Sequence, residues 1–232
     1  MLKTFASSVF LALGASILFA DTGHGVWNFS NARVGQVFSS ETSSTCGGAV
    51  VGVDLILTAA HCVIASGSAE PVDPRSVTFS YADTDSQIHA VQVIDIATDP
   101  EFKRSSAPSR EQIARDVALL RLSSDLTIGS ENMAALDSSQ PFVPLLPTDE
   151  EAPFEGEPCA ADYEDAKIVV LSSARAKGSS GMPAYSLING ERKIVAVVSA
   201  NGTRRGEAIT FAVNPMSNIS ALRWISATRP IP

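Results

Sequence analysis

The chain of 232 residues is predicted to be an all-β protein. Short apolar runs rich in Val, Ile, Leu and Phe recur along it, and each is bounded by Gly, Pro, Asp, Asn or Ser, which favour turns. None keeps the extended 3.6-residue period that predicts an amphipathic helix. The predicted strands lie at 49–58, 76–81, 89–97, 116–122, 167–172, 193–199 and 208–213.

The first twenty residues predict a signal peptide. They carry one charge, Lys3, ahead of an apolar stretch that is too short to span a bilayer and ends in Ala20. We therefore expect export to the periplasm or the cell exterior and a mature chain that begins near Asp21. Its formal net charge would be −9 in place of −8, which argues against nucleic acid and anionic membranes as partners.

The strands fall into two groups, at 21–135 and 159–215. Between them, residues 136–158 are acidic and rich in proline, a composition that pairs poorly into sheets and predicts an extended connector. The last segment, 216–232, contains the helical candidate, in which Ser217 or Asn218 could cap a turn that leads toward Ile225.

Three cysteines bear on the folding compartment. Cys46 and Cys62 could close a disulfide, and an oxidising compartment would let it persist. A loop of about 15 residues would gain roughly 3 kcal/mol in the chain-entropy model. Cys159 is then left over, either as a buried free thiol or as a handle for an intermolecular disulfide.

Two residues at strand ends are candidates for acid–base chemistry. His61 closes the apolar run 55–60 and is followed by Cys62, so a disulfide there would hold a general base rigidly. Asp116 heads a mostly apolar strand, so its carboxylate is expected to be partly buried. A buried carboxylate needs a partner, because its desolvation is otherwise unfavourable.

Three segments together resemble the trypsin/chymotrypsin-like serine endopeptidases. They are Thr58-Ala59-Ala60-His61-Cys62, Asp116-Val117-Ala118-Leu119-Leu120-Arg121-Leu122 and Gly178-Ser179-Ser180-Gly181-Met182-Pro183. The family carries T-A-A-H-C, D-[IV]-A-L-[LI]-x-L and G-D-S-G-G-P in the same order, and the order His, Asp, Ser distinguishes it from other folds with this triad. The resemblance implies two antiparallel Greek-key β-barrels with the active site between them.

The resemblance also implies roles for these residues. His61 would be the general base, Asp116 would fix its tautomer, and Ser180 would be the nucleophile. Ser180 fits better than Ser179, because glycine stands two places before it and directly after it. The N–H groups of Gly178 and Ser180 would form the oxyanion hole. A secreted, monomeric endopeptidase with a polypeptide substrate is expected, with no metal or cofactor.

Two departures from the family motif leave other functions open. Ser179 replaces an aspartate that pairs with the new N-terminus in zymogen-activated members, and Met182 replaces a glycine. Either the protein is competent without such cleavage, or its oxyanion loop needs something else to order it. The alternatives are a catalytically weak or inactive homologue that acts as a binding or regulatory module, and an esterase-like enzyme or a protease activated only by a partner.

The specificity residues follow from the same resemblance. Ser199, Ala200 and Asn201 resemble the family segment that lines the primary pocket, and Ser199 would also hydrogen-bond Asp116. Ala174 stands at the position where trypsin has a carboxylate, so a preference for basic residues before the scissile bond is not expected. A preference for small apolar residues, and one for acidic residues through Arg175 and Lys177, both stay open.

Overall fold

The computed structural model describes residues 33–135, 143–146, 154–155, 161–163, 167–171 and 178–226. Its first sheet is a closed antiparallel barrel. The strands are β1 (Val34–Ser39), β2 (Ser44–Gly52), β3 (Leu55–Thr58), β4 (Val77–Ala82), β5 (Ile88–Thr98) and β6 (Ala118–Leu122). They pair in the order β5-β4-β1-β2-β3-β6, and β5 also pairs with β6, which closes the ring.

Burial in the barrel explains where its strands lie. All four residues of β3 are buried, because β3 lies between β2 and β6. Ile56, Phe79 and Leu119 are fully inaccessible to solvent, and burial of each such side chain contributes about 1.5–3 kcal/mol. The predicted run 49–58 is two strands, because the chain turns between Gly52 and Leu55.

A second antiparallel sheet follows in the chain. Its strands are β7 (Val143–Leu146), β8 (Phe154–Glu155), β9 (Ala161–Tyr163), β10 (Ile168–Leu171), β11 (Pro183–Ile188), β12 (Glu191–Arg204) and β13 (Glu207–Val213). They pair in the order β8-β7-β11-β12-β13-β10-β9. The closed barrel beside this sheet confirms the predicted all-β, two-barrel class of fold.

The region 136–158 differs from the expected connector. It contains β7 and β8, which pair with each other, and β7 also pairs with β11. Strand β7 therefore forms although it contains Pro144. The remaining residues of this region lie outside the described residues.

The expected C-terminal helix is not formed as one element. The described part has two 3-10 turns, Pro215–Ser217 and Ile219–Ala221, followed by strand β14 (Arg223–Trp224). Asn214 caps the first turn by accepting a hydrogen bond from the N–H of Met216. Strand β14 then pairs with β5 of the first barrel, and this pairing holds the chain extended where the helix was expected. Residues 227–232 lie outside the described residues.

The segment that follows β6 also contacts the second sheet. Ile194 of β12 forms main-chain hydrogen bonds with Asn132 and Ala134, at 2.9 Å each. The carboxylate of Glu131 is buried and lies 2.7 Å from the guanidinium of Arg192. Within the described residues, no helix is long and apolar enough to cross a membrane.

Candidate active site

His61 and Asp116 are in direct contact at the end of the first barrel. His61 lies in a single 3-10 turn, Ala60–Cys62, that directly follows β3. Its ring Nδ1 is 2.7 Å from Oδ2 of Asp116, and its main-chain N–H donates to Oδ1 at 2.8 Å. The carboxylate therefore orients both the ring and the turn that carries it.

A third group reaches the same carboxylate from the second sheet. The hydroxyl of Ser199, in β12, donates to Oδ2 of Asp116 at 2.5 Å. Burial would raise the pKa of Asp116, but the charge of His61 and the hydrogen bonds from His61 and Ser199 outweigh it and hold this pKa below its ordinary value. Asp116 therefore stays ionised although only 3% of its surface is exposed.

The expected disulfide is present beside the histidine. Cys46 in β2 is bonded to Cys62, and both residues are buried. Sγ of Cys62 lies 3.8 Å from Nε2 of His61. The two sulfurs and the ring nitrogen lie within 4.8 Å of one another, but disulfide sulfurs are not the thiolates that bind zinc. The bond thus ties the turn of His61 to β2.

The loop 178–183 is held against the first barrel through its main chain. The N–H of Gly47, the residue after Cys46, donates to the carbonyl of Ser180 at 2.7 Å. Gly178 and Gly181 have φ of +92° and +80°, a region that favours glycine. A Cβ on Gly181 would lie 2.2 Å from the carbonyl oxygen of Gly47, so the close approach itself also requires glycine.

Two main-chain N–H groups of the same loop donate no hydrogen bond to the described residues. Gly181 donates to Val198, and Met182 donates back to Ser179. Within the described residues, the N–H groups of Gly178 and Ser180 have no hydrogen-bond partner. These are the two donors that the sequence analysis expected to face an oxyanion.

The two adjacent serines differ in accessibility. Ser179 is buried, at 2% exposure, whereas Ser180 is partly exposed. Across the described part of the chain, the hydroxyl of Ser180 makes no hydrogen bond to the ring of His61. The structure thus joins His61, Asp116 and Ser199 directly, and it links Ser180 to them through Gly47 and the disulfide.

The packing of Met182 is explained by a residue far away in sequence. Met182 is fully buried, and its sulfur would lie 2.1 Å from a Cβ on Gly47. The absent side chain of Gly47 therefore makes the space that the methionine occupies. No motif predicts this pairing, although the two glycines Gly47 and Gly48 within one strand are a signal for close approach.

A cleft of about 330 Å³ opens beside His61. Its lining includes three expected residues, Asp116, Ser199 and Ala200, together with residues that sequence analysis missed. These are Ser66, Phe102, Arg104, Ser105, Ser106, Pro108 and Ile113. Asn201 is exposed, and its Oδ1 accepts a hydrogen bond from Thr210 at 2.7 Å. Ala174, Arg175, Lys177 and Cys159 lie outside the described residues.

The comparisons with known proteins agree with this fold and with the first two motifs. The chain belongs to the trypsin family, because the family model Trypsin matches residues 27–145, about half of its length. That match includes His61 and Asp116 and ends before the loop 178–183.

A solved structure resembles the chain over a larger part of its length. The secreted serine protease VesC from Vibrio cholerae matches with a TM-score of 0.54 and 19% sequence identity over 80% of this chain. At this identity the match supports the fold. The chain spans 44% of the length of VesC, so it corresponds to less than half of that protein.

Proposed function

We propose that the protein is an exported serine endopeptidase that cleaves peptide bonds through an acyl-enzyme, in the periplasm or outside the cell. The observation that carries the proposal is the buried carboxylate of Asp116, which contacts the ring of His61 at 2.7 Å and the hydroxyl of Ser199 at 2.5 Å. Such a carboxylate fixes the histidine tautomer and stabilises the imidazolium that forms during proton transfer.

In the first half of the reaction, Oγ of Ser180 attacks the peptide carbonyl and His61 Nε2 takes the hydroxyl proton. The N–H groups of Gly178 and Ser180 donate to the oxygen that becomes negative; their lack of other partners among the described residues supports this role. His61 then gives the proton to the leaving amine as the C–N bond breaks.

In the second half, water attacks the acyl ester of Ser180 and His61 again takes and returns the proton. The products are a carboxylic acid and the free serine. Asp116 remains ionised throughout, in line with its lowered pKa. The family position of Ala174 supports a substrate preference other than the basic residues that trypsin takes.

A second candidate is a protease whose site is completed only when a partner or substrate binds. The absence of a hydrogen bond between the Ser180 hydroxyl and His61, within the described residues, favours it. Catalytic hydrogen bonds often tighten only in the substrate complex, so this geometry is compatible with both candidates.

The test is labelling of the purified protein with a fluorophosphonate probe. Rapid labelling that is lost in Ser180→Ala and kept in Ser179→Ala would support the constitutive protease. The buried Ser179 serves as the matched control in the same loop. A folded protein that stays unlabelled would contradict constitutive activity, and labelling that appears only with an added polypeptide would support the second candidate.

A further inference from the structure

A second cavity shares part of its lining with the cleft beside His61. This cavity measures about 480 Å³ and is lined by Ser66, Gly67, Lys103, Arg104, Ser105, Ser106, Ala107, Ser109 and Gln112. Both cavities are lined by Ser66, Arg104, Ser105 and Ser106. We call the combined depression the 103–109 groove. Arg104 lines both parts, and His61 lines the smaller one.

Acidic residues near the groove pair with another arginine. Arg115 takes up the nearby carboxylates: Asp99 at 2.8 Å, Glu101 in direct contact and Glu111 at 3.8 Å. Within the described residues, neither Lys103 nor Arg104 has a carboxylate partner. Asp116 also lines the cleft, but its oxygens are already bonded to His61 and Ser199.

Arg104 is held in place by neutral groups. Its main-chain N–H and carbonyl pair with Ser68 and Gly67 at 3.0 Å each, and Nη1 donates to the carbonyl of Ile64 at 2.7 Å. A guanidinium carries five N–H donors, and the described residues use one of them. The side chain is therefore positioned before any ligand arrives, and its other N–H groups make no hydrogen bond to the described residues.

We propose that the 103–109 groove recognises an acidic side chain of the polypeptide substrate, with Arg104 as the residue that determines this preference. The inference rests on the proposed endopeptidase function. A planar guanidinium suits a carboxylate, because two of its N–H groups can meet both oxygens. The hydroxyls of Ser105 and Ser106 add further donors, and Phe102 and Ile113 provide apolar surface for the aliphatic part of a glutamate.

The charge of the whole chain makes this groove selective. The protein has a formal net charge of −8, which as a net effect disfavours the approach of an acidic peptide. Lys103 and Arg104 have no carboxylate partner among the described residues, and Arg104 also lines the cleft of His61. The preference should consequently weaken as salt screens the attraction.

The experiment compares fluorogenic peptides that differ only by Glu, Gln or Lys at each of four positions on either side of the cleaved bond. At one position or more, Glu should exceed Gln by about ten-fold in kcat/KM, which corresponds to about 1.4 kcal/mol. In Arg104→Gln, which keeps a donor for Ile64 but loses the charge, this ratio should fall to about one.

Charge reversal separates recognition from a structural role. Arg104→Glu should favour Lys over Gln at the same position, a result that a damaged fold would not produce. Arg205→Glu changes the charge equally at an exposed turn of the second sheet and should leave the Glu preference unchanged.

The failure of the inference and that of the proposed function are distinguishable. Equal rates for Glu and Gln in a wild-type protein that cleaves peptides would overturn the inference and leave the endopeptidase in place. Equal slowing of every peptide in Arg104→Glu would do the same. A wild-type protein that neither reacts with fluorophosphonate nor cleaves any peptide would overturn both.

Discussion

Among the described residues of the first barrel, two histidine–aspartate pairs have nearly the same distance but differ in exposure and in sequence separation. His61 and Asp116 are 2.7 Å apart, and His89 and Asp83 are 2.6 Å apart. In the first pair 22% and 5% of the side chains are exposed, against 39% and 19% in the second. The first joins residues 55 positions apart, whereas the second closes a hairpin across six.

The surroundings of the two aspartates explain the difference. Asp83 accepts further hydrogen bonds from the N–H groups of Asp85 and Gln87 in its own hairpin, and His89 stacks on Tyr81. Asp116 accepts hydrogen bonds from the main-chain N–H of His61, in the turn after β3, and from the hydroxyl of Ser199 in the other sheet. The close pair of His89 and Asp83 therefore stabilises a local hairpin. The pair of His61 and Asp116 is a candidate site because it is anchored by both sheets.

The largest expected effect comes from Asp116→Asn. An amide cannot accept from both His61 groups and Ser199 as the carboxylate does, so the ring loses its tautomer and its charge partner. If the protein is the proposed protease, kcat should fall about 10³- to 10⁴-fold. Steady-state kinetics on a peptide substrate measures this. Asp83→Asn is the control and should change kcat less than about two-fold; equal losses in the two variants would contradict the comparison.

Gly181→Ala tests how the loop 178–183 is anchored. The new Cβ would meet the Gly47 carbonyl at 2.2 Å in a backbone with φ of +80°. Strain and overlap together should lower the free energy of unfolding by about 4 kcal/mol. Gly190→Ala is the matched control, because it has φ of +79° and nothing within 4 Å, so it should lose only about 1 kcal/mol. Urea unfolding distinguishes them, and similar losses would rule out the close approach.

Removal of the disulfide tests the covalent anchor of His61. Replacing both Cys46 and Cys62 by alanine should lower the free energy of unfolding by about 3 kcal/mol. Because the turn of His61 loses its tie to β2, the NMR signals of the His61 ring should shift while those of His89 stay in place. An unchanged His61 signal would show that Asp116 and Ser199 are sufficient to hold the ring.

Gly47→Ala and Met182→Ala form a double-mutant cycle. Alanine at position 47 would collide with the methionine sulfur, so that variant should lose about 1–3 kcal/mol. In the presence of Met182→Ala the same change should lose much less, since the colliding atoms are gone. Chemical unfolding of the four proteins gives the coupling energy. Strictly additive losses would mean that Met182 does not depend on the space at Gly47.

The smallest effect is a pH dependence of stability. The pKa of Asp116 is below its ordinary value of 3.8 in the folded state, so the unfolded state binds a proton first as pH falls. The stabilisation that Asp116 provides is complete well above the unfolded value of 3.8 and disappears as pH falls through the folded pKa. The stability difference between wild type and Asp116→Asn should therefore shrink toward acid. A difference that grows toward acid would contradict the direction of the shift.

Several site features could be predicted from the sequence because they depend on local patterns. The motif around His61 places the histidine soon after a strand of four buried residues. The disulfide could be predicted because Cys46 and Cys62 lie in neighbouring elements of the chain. The bond between Ser199 and Asp116 could be expected only through family resemblance, since nothing local links positions 83 apart. The 103–109 groove was missed because its residues share no spacing or motif.

The sequence by itself determined the all-β class, the identity of the triad candidates and the disulfide pair, because turn residues, apolar runs and short motifs act over a few residues. Tertiary structure decided the rest. It turned the expected C-terminal helix into 3-10 turns and a strand, since the end of β5, beyond the residues that pair with β4, offered hydrogen bonds to β14. It also brought Met182 to Gly47 and left Arg104 without an acidic partner among the described residues, because packing and pairing across the barrels depend on distances in space that no local pattern encodes.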